Sequence, residues 1–221
     1  MIKLVAFDWN GTLFADAQAC LNACNHFFKA LDLKPITLAQ FRRTFTVPVI
    51  DFYEKNVAPR AKVLANSKLN AEIFHTYYEL LEDKIRSRAH AKEVLAQIYR
   101  SKIDCIVISN HMVPQIRKQL KRLDLDKFVK EVLANTNRDA PMLGNTKAER
   151  IETYLKKHKI KGEEILIVGD GLEEIEIAKT IGAISVAVTH GYWSTSRLKA
   201  AKPDYLINSL KEVIRIVKRI N

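Results

Sequence analysis

Ile2-Lys3-Leu4-Val5-Ala6-Phe7-Asp8-Trp9-Asn10-Gly11-Thr12-Leu13 decides how the rest of this chain is read. The run from Ile2 to Phe7 is short and almost continuously apolar, the pattern of a strand buried on both faces. Asp8 therefore falls at the carboxyl end of that strand, the edge where open α/β sheets carry their reactive groups. Gly11-Thr12 predicts a turn that lets the backbone fold close around whatever binds there. Asn10 is the unexpected residue. It stands two places after the carboxylate, and an amide cannot transfer a proton as an acid would.

Working outward, four further strand candidates follow: Asp104-Cys105-Ile106-Val107-Ile108, Glu131-Val132-Leu133-Ala134, Ile165-Leu166-Ile167-Val168 and Ile184-Ser185-Val186-Ala187-Val188. All are short, rich in β-branched residues and bounded by polar or glycine turns. Helical periodicity predicts helices over 91–100, 114–122, 146–158, 173–181 and 209–219, with Pro114 opening its helix where a missing N–H does no harm. Alternating strands and helices predict an α/β fold, a Rossmann-like parallel sheet covered on both faces. Right-handed crossovers then set every carboxyl end along one rim. Residues 16–88 break the rhythm, with helical stretches at 16–31, 38–45 and 70–86 and no good strand. The expected division is a core of 1–15 and 89–221 with a helical insertion, 16–88, standing over the rim.

The bulk properties agree. A length of 221 residues with 48% hydrophobic content suits one core domain carrying an inserted module. No apolar stretch of roughly 18 or more residues occurs, so no membrane span is expected. The N-terminus runs straight into a strand pattern without a signal peptide, which predicts a cytoplasmic protein. The three cysteines, Cys20, Cys24 and Cys105, read as reduced thiols, and Cys20 and Cys24 lack further nearby ligands for a metal. A net charge of +11 favours anionic ligands. Acidic residues are interspersed among the basic ones, and the dense run Lys156-Lys157-His158-Lys159-Ile160-Lys161 reads as a solvated helix end. Nucleic acid is not an expected partner, and nothing in the sequence sets an oligomeric state.

Asp8, Ser109, Lys147 and Asp170 share the predicted rim, and each suits a step in handling a phosphate monoester. Asp8 is a carboxylate nucleophile able to form an acyl-phosphate. Asp170, after a glycine, can give oxygen to a hard cation such as Mg²⁺, which takes one or two carboxylates and fills its shell with water and phosphate. Ser109 offers a hydroxyl and a backbone N–H to a phosphate oxygen, and Lys147 a compact positive charge. Phosphoryl transfer depends chiefly on such positioning and charge stabilisation.

In this order the motifs resemble the haloacid dehalogenase superfamily. Asp8-Trp9-Asn10-Gly11-Thr12 is similar to its first motif, Asp-x-Asp-Gly-Thr, except at Asn10. Ile106-Val107-Ile108-Ser109-Asn110 resembles the second, Lys147 stands in the place of the third-motif lysine, and Gly169-Asp170-Gly171-Leu172-Glu173-Glu174 resembles the fourth. Gly191-Tyr192 and Lys202-Pro203-Asp204-Tyr205-Leu206-Ile207 continue the likeness, and the insertion looks like the helical cap of phosphoglycolate phosphatase-like members. The resemblance implies a Mg²⁺-dependent hydrolase of a small phosphate monoester working through an aspartyl-phosphate. It implies catalytic roles for Asp8, Asn10 and Lys147. Phosphate contacts are implied from Ser109, Asn110, Gly11 and Thr12. Metal ligands would be Asp8, the Asn10 backbone carbonyl, Asp170 and Glu174, the last directly or through water. The partner implied is a small anionic phosphorylated substrate.

Each residue also has a plainer reading. Ser109-Asn110 suits a strand-to-helix turn, Lys147 an exposed first helical turn with Lys130 as the alternative lysine, Glu174 an acid near a helix N-terminus with Glu173 as competitor, His111 an exposed turn residue, and Trp9 core packing. In family phosphatases the second Asp of the first motif protonates the leaving group and activates water. Asn10 preserves a backbone carbonyl but not that proton transfer, worth roughly 10²–10⁴-fold. A slower phosphatase using Glu173, His111 or a cap residue, a non-enzymatic phosphate-ligand binder, and a C–P or C–halogen hydrolase all remain open. Arg42, Arg43, Tyr53 and Lys55 are candidate cap contributors to specificity.

Overall fold

The computed structural model describes residues 1–56, 58–65, 67–136 and 147–221. Among the described residues the strands are β1 (Leu4–Asp8), β2 (Asp104–Met112), β3 (Glu131–Asn135), β4 (Ile165–Gly169), β5 (Ile184–Val188) and β6 (Tyr205–Ile207). They form one sheet in the order β3-β2-β1-β4-β5-β6, with every neighbouring pair parallel. The chain runs from β1 outward through β2 to β3 on one side, then crosses back to β4 on the other side of β1, so β1 and β4 flank the topological switch point, where such sheets open a crevice.

Burial explains why β1 lacks polar alternation. Val5 and Phe7 enter the larger apolar cluster on one face of the sheet, while Leu4 and Ala6 enter a second cluster on the other. Each of these four side chains is fully buried, so both faces demand apolar residues. Register then fixes the rim. Asp8 lies opposite Ile108, one residue short of Ser109, and Phe7 lies opposite Val168, two residues before Asp170.

Between β1 and the core helices the regular elements are α1 (Ala17–Ala30), α2 (Leu38–Thr44), α3 (Val49–Lys55), α4 (Arg60–Ala65) and α5 (Ser67–Glu82). α1 lies against α5. α2 and α3 bring Phe41, Phe45 and Phe52 into one aromatic cluster with ring centroids 5.0–5.4 Å apart. Further α-helices among the described residues are α6 (Ala91–Arg100), α7 (Val113–Arg122), α8 (Lys147–His158), α9 (Leu172–Ile181), α10 (Thr195–Ala200) and α11 (Lys211–Ile220). α9 ends on Gly182 at φ +70°, the left-handed cap that glycine adopts without a Cβ penalty.

Several expectations are refined. β2 continues through Ser109-Asn110 to Met112, with a register shift between Ile108 and Met112, so these residues are an irregular strand end rather than a turn. β6 is not among the expected strands, although its residues belong to the stretch 202–207 that continues the family likeness. α3 and α4 were not expected. The helix expected over 146–158 is observed from Lys147, and its first position lies outside the described residues. Among the described residues no helix is long and apolar enough to cross a membrane.

Candidate active site

The rim gathers five charged side chains from four segments. Asp8 closes β1, Asp170 follows β4, Glu173 and Glu174 lie in the first turn of α9, and Lys147 opens α8. Asp8, Lys147, Asp170 and Glu174 are all buried. Lys147 Nζ donates to Asp8 Oδ1 at 3.0 Å, stands 3.1 Å from Glu173 Oε2 and also bonds Glu174 Oε1. Lys147 is therefore no exposed helix residue. Lys130, the alternative lysine, pairs on the surface with Asp104 at the opposite end of β2.

The electrostatics follow from burial. Loss of water pushes the Asp8 carboxyl well above the usual range, with Lys147 opposing and Glu174 and Asp170 adding repulsion. Burial would lower Lys147, but the charges of Asp8, Glu173 and Glu174 outweigh it and hold the ammonium well above its usual value. Asp170 is pushed up to about 6 by burial, against the Tyr192 N–H and with the help of Glu174. Several carboxylates thus crowd around one ammonium, a donor set of hard oxygens that a divalent cation would neutralise.

Glycines make that crowding possible. A Cβ on Gly11, which sits at φ +76°, would lie 2.4 Å from Asp170 Oδ2, and one on Gly191 would lie 2.1 Å from the same atom. Thr12 Oγ1 donates to Asp170 Oδ1 at 3.0 Å, and the Tyr192 N–H donates to Oδ2. Among the described residues no group of three His, Cys, Asp or Glu side chains is placed to hold a metal ion. Mg²⁺ suits this site, because it needs only one or two carboxylates and completes its shell with carbonyl, water and phosphate oxygen.

The neighbouring polar residues are already engaged. The Gly11 N–H donates to Asp16 Oδ1 at 2.8 Å, and Asn110 Nδ2 donates to Glu173 Oε2 at 2.9 Å. Ser109 Oγ lies 3.5 Å from Asn10 Oδ1 and accepts from the His111 N–H at 3.1 Å. Of the groups expected to bind phosphate, Ser109 is the one beside both Asn10 and the β2 irregularity, whereas Thr12, Gly11 and Asn110 direct the polar groups just named at carboxylates. His111 is half-buried rather than exposed, its Nε2 3.3 Å from Glu82 Oε1 and its ring edge-on to Tyr78. Trp9 is fully buried and stacks on Phe14 at 5.0 Å, which is core packing. Tyr53 packs among Phe27, Phe28 and Phe52, while Arg43 and Lys55 are exposed.

Four residues here were not singled out from the sequence for these contacts. Arg150 donates to the Ser109 carbonyl at 2.8 Å and reaches Asn135. Arg88 bonds the Gly11 carbonyl at 2.5 Å and also that of Thr189. Asp16 and Tyr78 meet beside Asn10. The partners of Arg88 and Tyr78, and the tyrosine partners of Asp16, lie 62 or more residues away, so no local spacing could reveal them. Arg42 donates to the backbone carbonyls of Gly191 at 2.9 Å and His190 at 2.7 Å, which ties α2 to the loop after β5.

Residues 5–188 match the family described as haloacid dehalogenase-like hydrolase, and the chain belongs to that family. Phosphoglycolate phosphatase from Vibrio parahaemolyticus is 24% identical over 98% of this chain and 96% of that protein. The phosphoglycolate phosphatase of Vibrio vulnificus strain CMCP6 is 26% identical with the same coverage. Among solved structures, a haloacid dehalogenase-like family hydrolase from Streptococcus pneumoniae superposes with a TM-score of 0.81 at 20% identity, covering 98% of each chain. At that identity the superposition establishes the shared fold.

Proposed function

We propose that this chain is a Mg²⁺-dependent phosphatase that hydrolyses a small phosphate monoester through an aspartyl-phosphate on Asp8. The observation that carries the reading is the buried contact of Lys147 with Asp8 at 3.0 Å, within a carboxylate cluster at the switch point of a parallel sheet. The names of the Vibrio relatives put phosphoglycolate first among substrates to try.

An Asp8 carboxylate oxygen attacks phosphorus, a new P–O bond forms, and the ester P–O bond breaks with its electron pair going to the leaving oxygen. Lys147 orients Asp8 and offsets the charge on the transferred phosphoryl group. Ser109 contacts a phosphoryl oxygen through its hydroxyl or N–H. Asp8, the Asn10 carbonyl and Asp170 would hold Mg²⁺, with Glu174 beside them, and the bound ion would supply charge neutralisation. Water then attacks phosphorus, the Asp8 O–P bond breaks with its electron pair returning to the carboxylate, the proton that the water loses passes to the departed alkoxide or to solvent, and inorganic phosphate leaves. The helical insertion acts as a cap, since Arg42, Tyr78 and Glu82 reach from it toward the rim.

Asn10 gives no proton to the leaving oxygen, so departure of a basic alkoxide is slowed, by roughly 10²–10⁴-fold where a general acid is missing. Aryl and other weakly basic leaving groups should react faster than alkyl ones. The test is phosphate release from esters graded in leaving-group basicity, with Mg²⁺ or chelator. Wild type should show Mg²⁺-dependent release, and Asp8→Asn should lose at least about 10³-fold. Unchanged release by Asp8→Asn would remove Asp8 as nucleophile. Asn10 also favours a second reading, a phosphate-ligand binder, which tight ester binding without turnover would identify.

A further inference from the structure

We propose that Asp16 is a positioning residue of this site: its carboxylate holds the Asn10 amide with the carbonyl oxygen turned toward Ser109, and so makes position 10 of this chain an amide position. The inference rests on the phosphatase reading above.

Asp16 directly precedes α1 and is fully buried, yet its side chain makes no capping bond to that helix. It instead accepts four hydrogen bonds. Asn10 Nδ2 donates at 2.7 Å, the Gly11 N–H at 2.8 Å, the Tyr78 hydroxyl at 2.7 Å and the Tyr192 hydroxyl at 2.6 Å. The donors come from the turn after β1, from α5 and from the loop after β5. One carboxylate thus joins the nucleophile's own turn, the insertion and the loop that bonds Asp170.

Asn10 is oriented by this arrangement. Its Nδ2 has a second acceptor in the Tyr78 oxygen at 3.3 Å, while Oδ1 points the other way, 3.5 Å from Ser109 Oγ. A carboxylate at position 10 would have no hydrogen to give to either acceptor. It would also place like charge at hydrogen-bond distance from Asp16, away from water. The amide and Asp16 are therefore a matched donor and acceptor, and restoring the family's acid at position 10 removes the match.

The test compares wild type with Asn10→Asp, Asp16→Asn, the double variant and Tyr192→Phe. Melting temperature, kcat and KM for Mg²⁺-dependent phosphate release, and affinity for inorganic phosphate with Mg²⁺ are measured for each. Asn10→Asp should melt lower by about 3 °C or more and should lose kcat rather than gain it. The double variant reverses donor and acceptor and should melt above Asn10→Asp, recovering part of the kcat lost. Tyr192→Phe removes one of the four donors with little change in shape. It should lower kcat about threefold to tenfold with a smaller change in KM.

Asn10→Asp melting at or above wild type with raised kcat would overturn the proposal. So would melting temperatures that add without coupling in the double variant, or a Tyr192→Phe effect confined to stability. Should Asp16→Asn fail to fold, Asn10→Asp and Tyr192→Phe still decide the matter. Should wild type release phosphate from no ester, the phosphatase reading fails by itself. Coupling in melting temperature and altered phosphate affinity would then still support the Asp16 role, and their absence would refute it.

Discussion

Replacing Lys147 with methionine removes the ammonium from the carboxylate cluster and keeps most of the side chain's length and apolar volume. In the native protein Lys147 is 3% exposed, with Nζ 3.0 Å from Asp8 Oδ1 and 3.1 Å from Glu173 Oε2. Removing one partner of a buried ion pair costs about 3–5 kcal/mol, because the other charge is left uncompensated. At roughly 2–4 °C per kcal/mol for a chain of this size, Lys147→Met should melt about 6–20 °C below wild type at pH 8 in chelator. The deficit has a definite pH dependence. Burial already raises the Asp8 and Glu173 carboxyls, and Lys147 is the foremost influence opposing it. Without the lysine both rise further. A carboxyl raised in the folded state binds more protons there than in the unfolded chain. Its stabilising share is therefore intact below the unfolded value of about 4 and is lost as pH rises through the folded one. The gap between variant and wild type should narrow toward about pH 4.5 and be widest at about pH 8. Circular dichroism melts across that range give the answer. Equal melting temperatures at pH 8, or a gap that widens on acidification, would refute the assignment of Lys147 as the cluster's counter-charge.

Three further outcomes are expected. Mg²⁺ at about 100 times its Kd should stabilise the protein by about 2.7 kcal/mol at pH 7.5. The gain should be smaller at pH 5, where Asp170, pushed up to about 6, holds a proton; equal gains at both would count against Asp170 as a ligand. Gly11→Ala forces a Cβ onto a residue at φ +76° and to within 2.4 Å of Asp170 Oδ2. It should cost about 1–3 kcal/mol in urea unfolding and suppress the Mg²⁺ gain, and a neutral result would show the turn to be adaptable. Phe41→Ala empties a fully buried position whose ring meets Phe52 and Tyr192 at 5.4 Å each. A loss of about 3–5 kcal/mol is expected in urea unfolding, and a loss below about 1 kcal/mol would mean that α2 is not anchored through this ring.

What the sequence revealed and what it concealed have physical reasons. β1, β2, β4 and β5 were legible because both faces of an inner strand are covered, which leaves an uninterrupted apolar run. β6 is three residues long and leaves Leu206 37% exposed at the sheet edge, so it carries no such run. α3 and α4, seven and six residues long, each begin directly after a proline, Pro48 and Pro59, which reads as a break in helical pattern. Asp8, Asp170 and Lys147 were legible from their places at the ends of elements. Asp16 was not, because an aspartate before a helix reads as a cap, and its partners Tyr78 and Tyr192 lie 62 and 176 residues away. His111 reads as exposed from the sequence for a similar reason, yet it is half-buried. Glu82, which faces it, belongs to α5, and no local pattern connects the two.

The central position of β1 bears on how the chain comes off the ribosome. Its two sheet neighbours, β2 and β4, begin at Asp104 and Ile165. At roughly 5–20 residues per second, β1 waits on the order of 5–20 s for its first neighbour. Throughout that interval the amide and carbonyl groups of the apolar run Leu4-Val5-Ala6-Phe7 lack their ladder partners. The nascent chain therefore passes through a stage in which this apolar segment depends on early helices or on a chaperone for shelter.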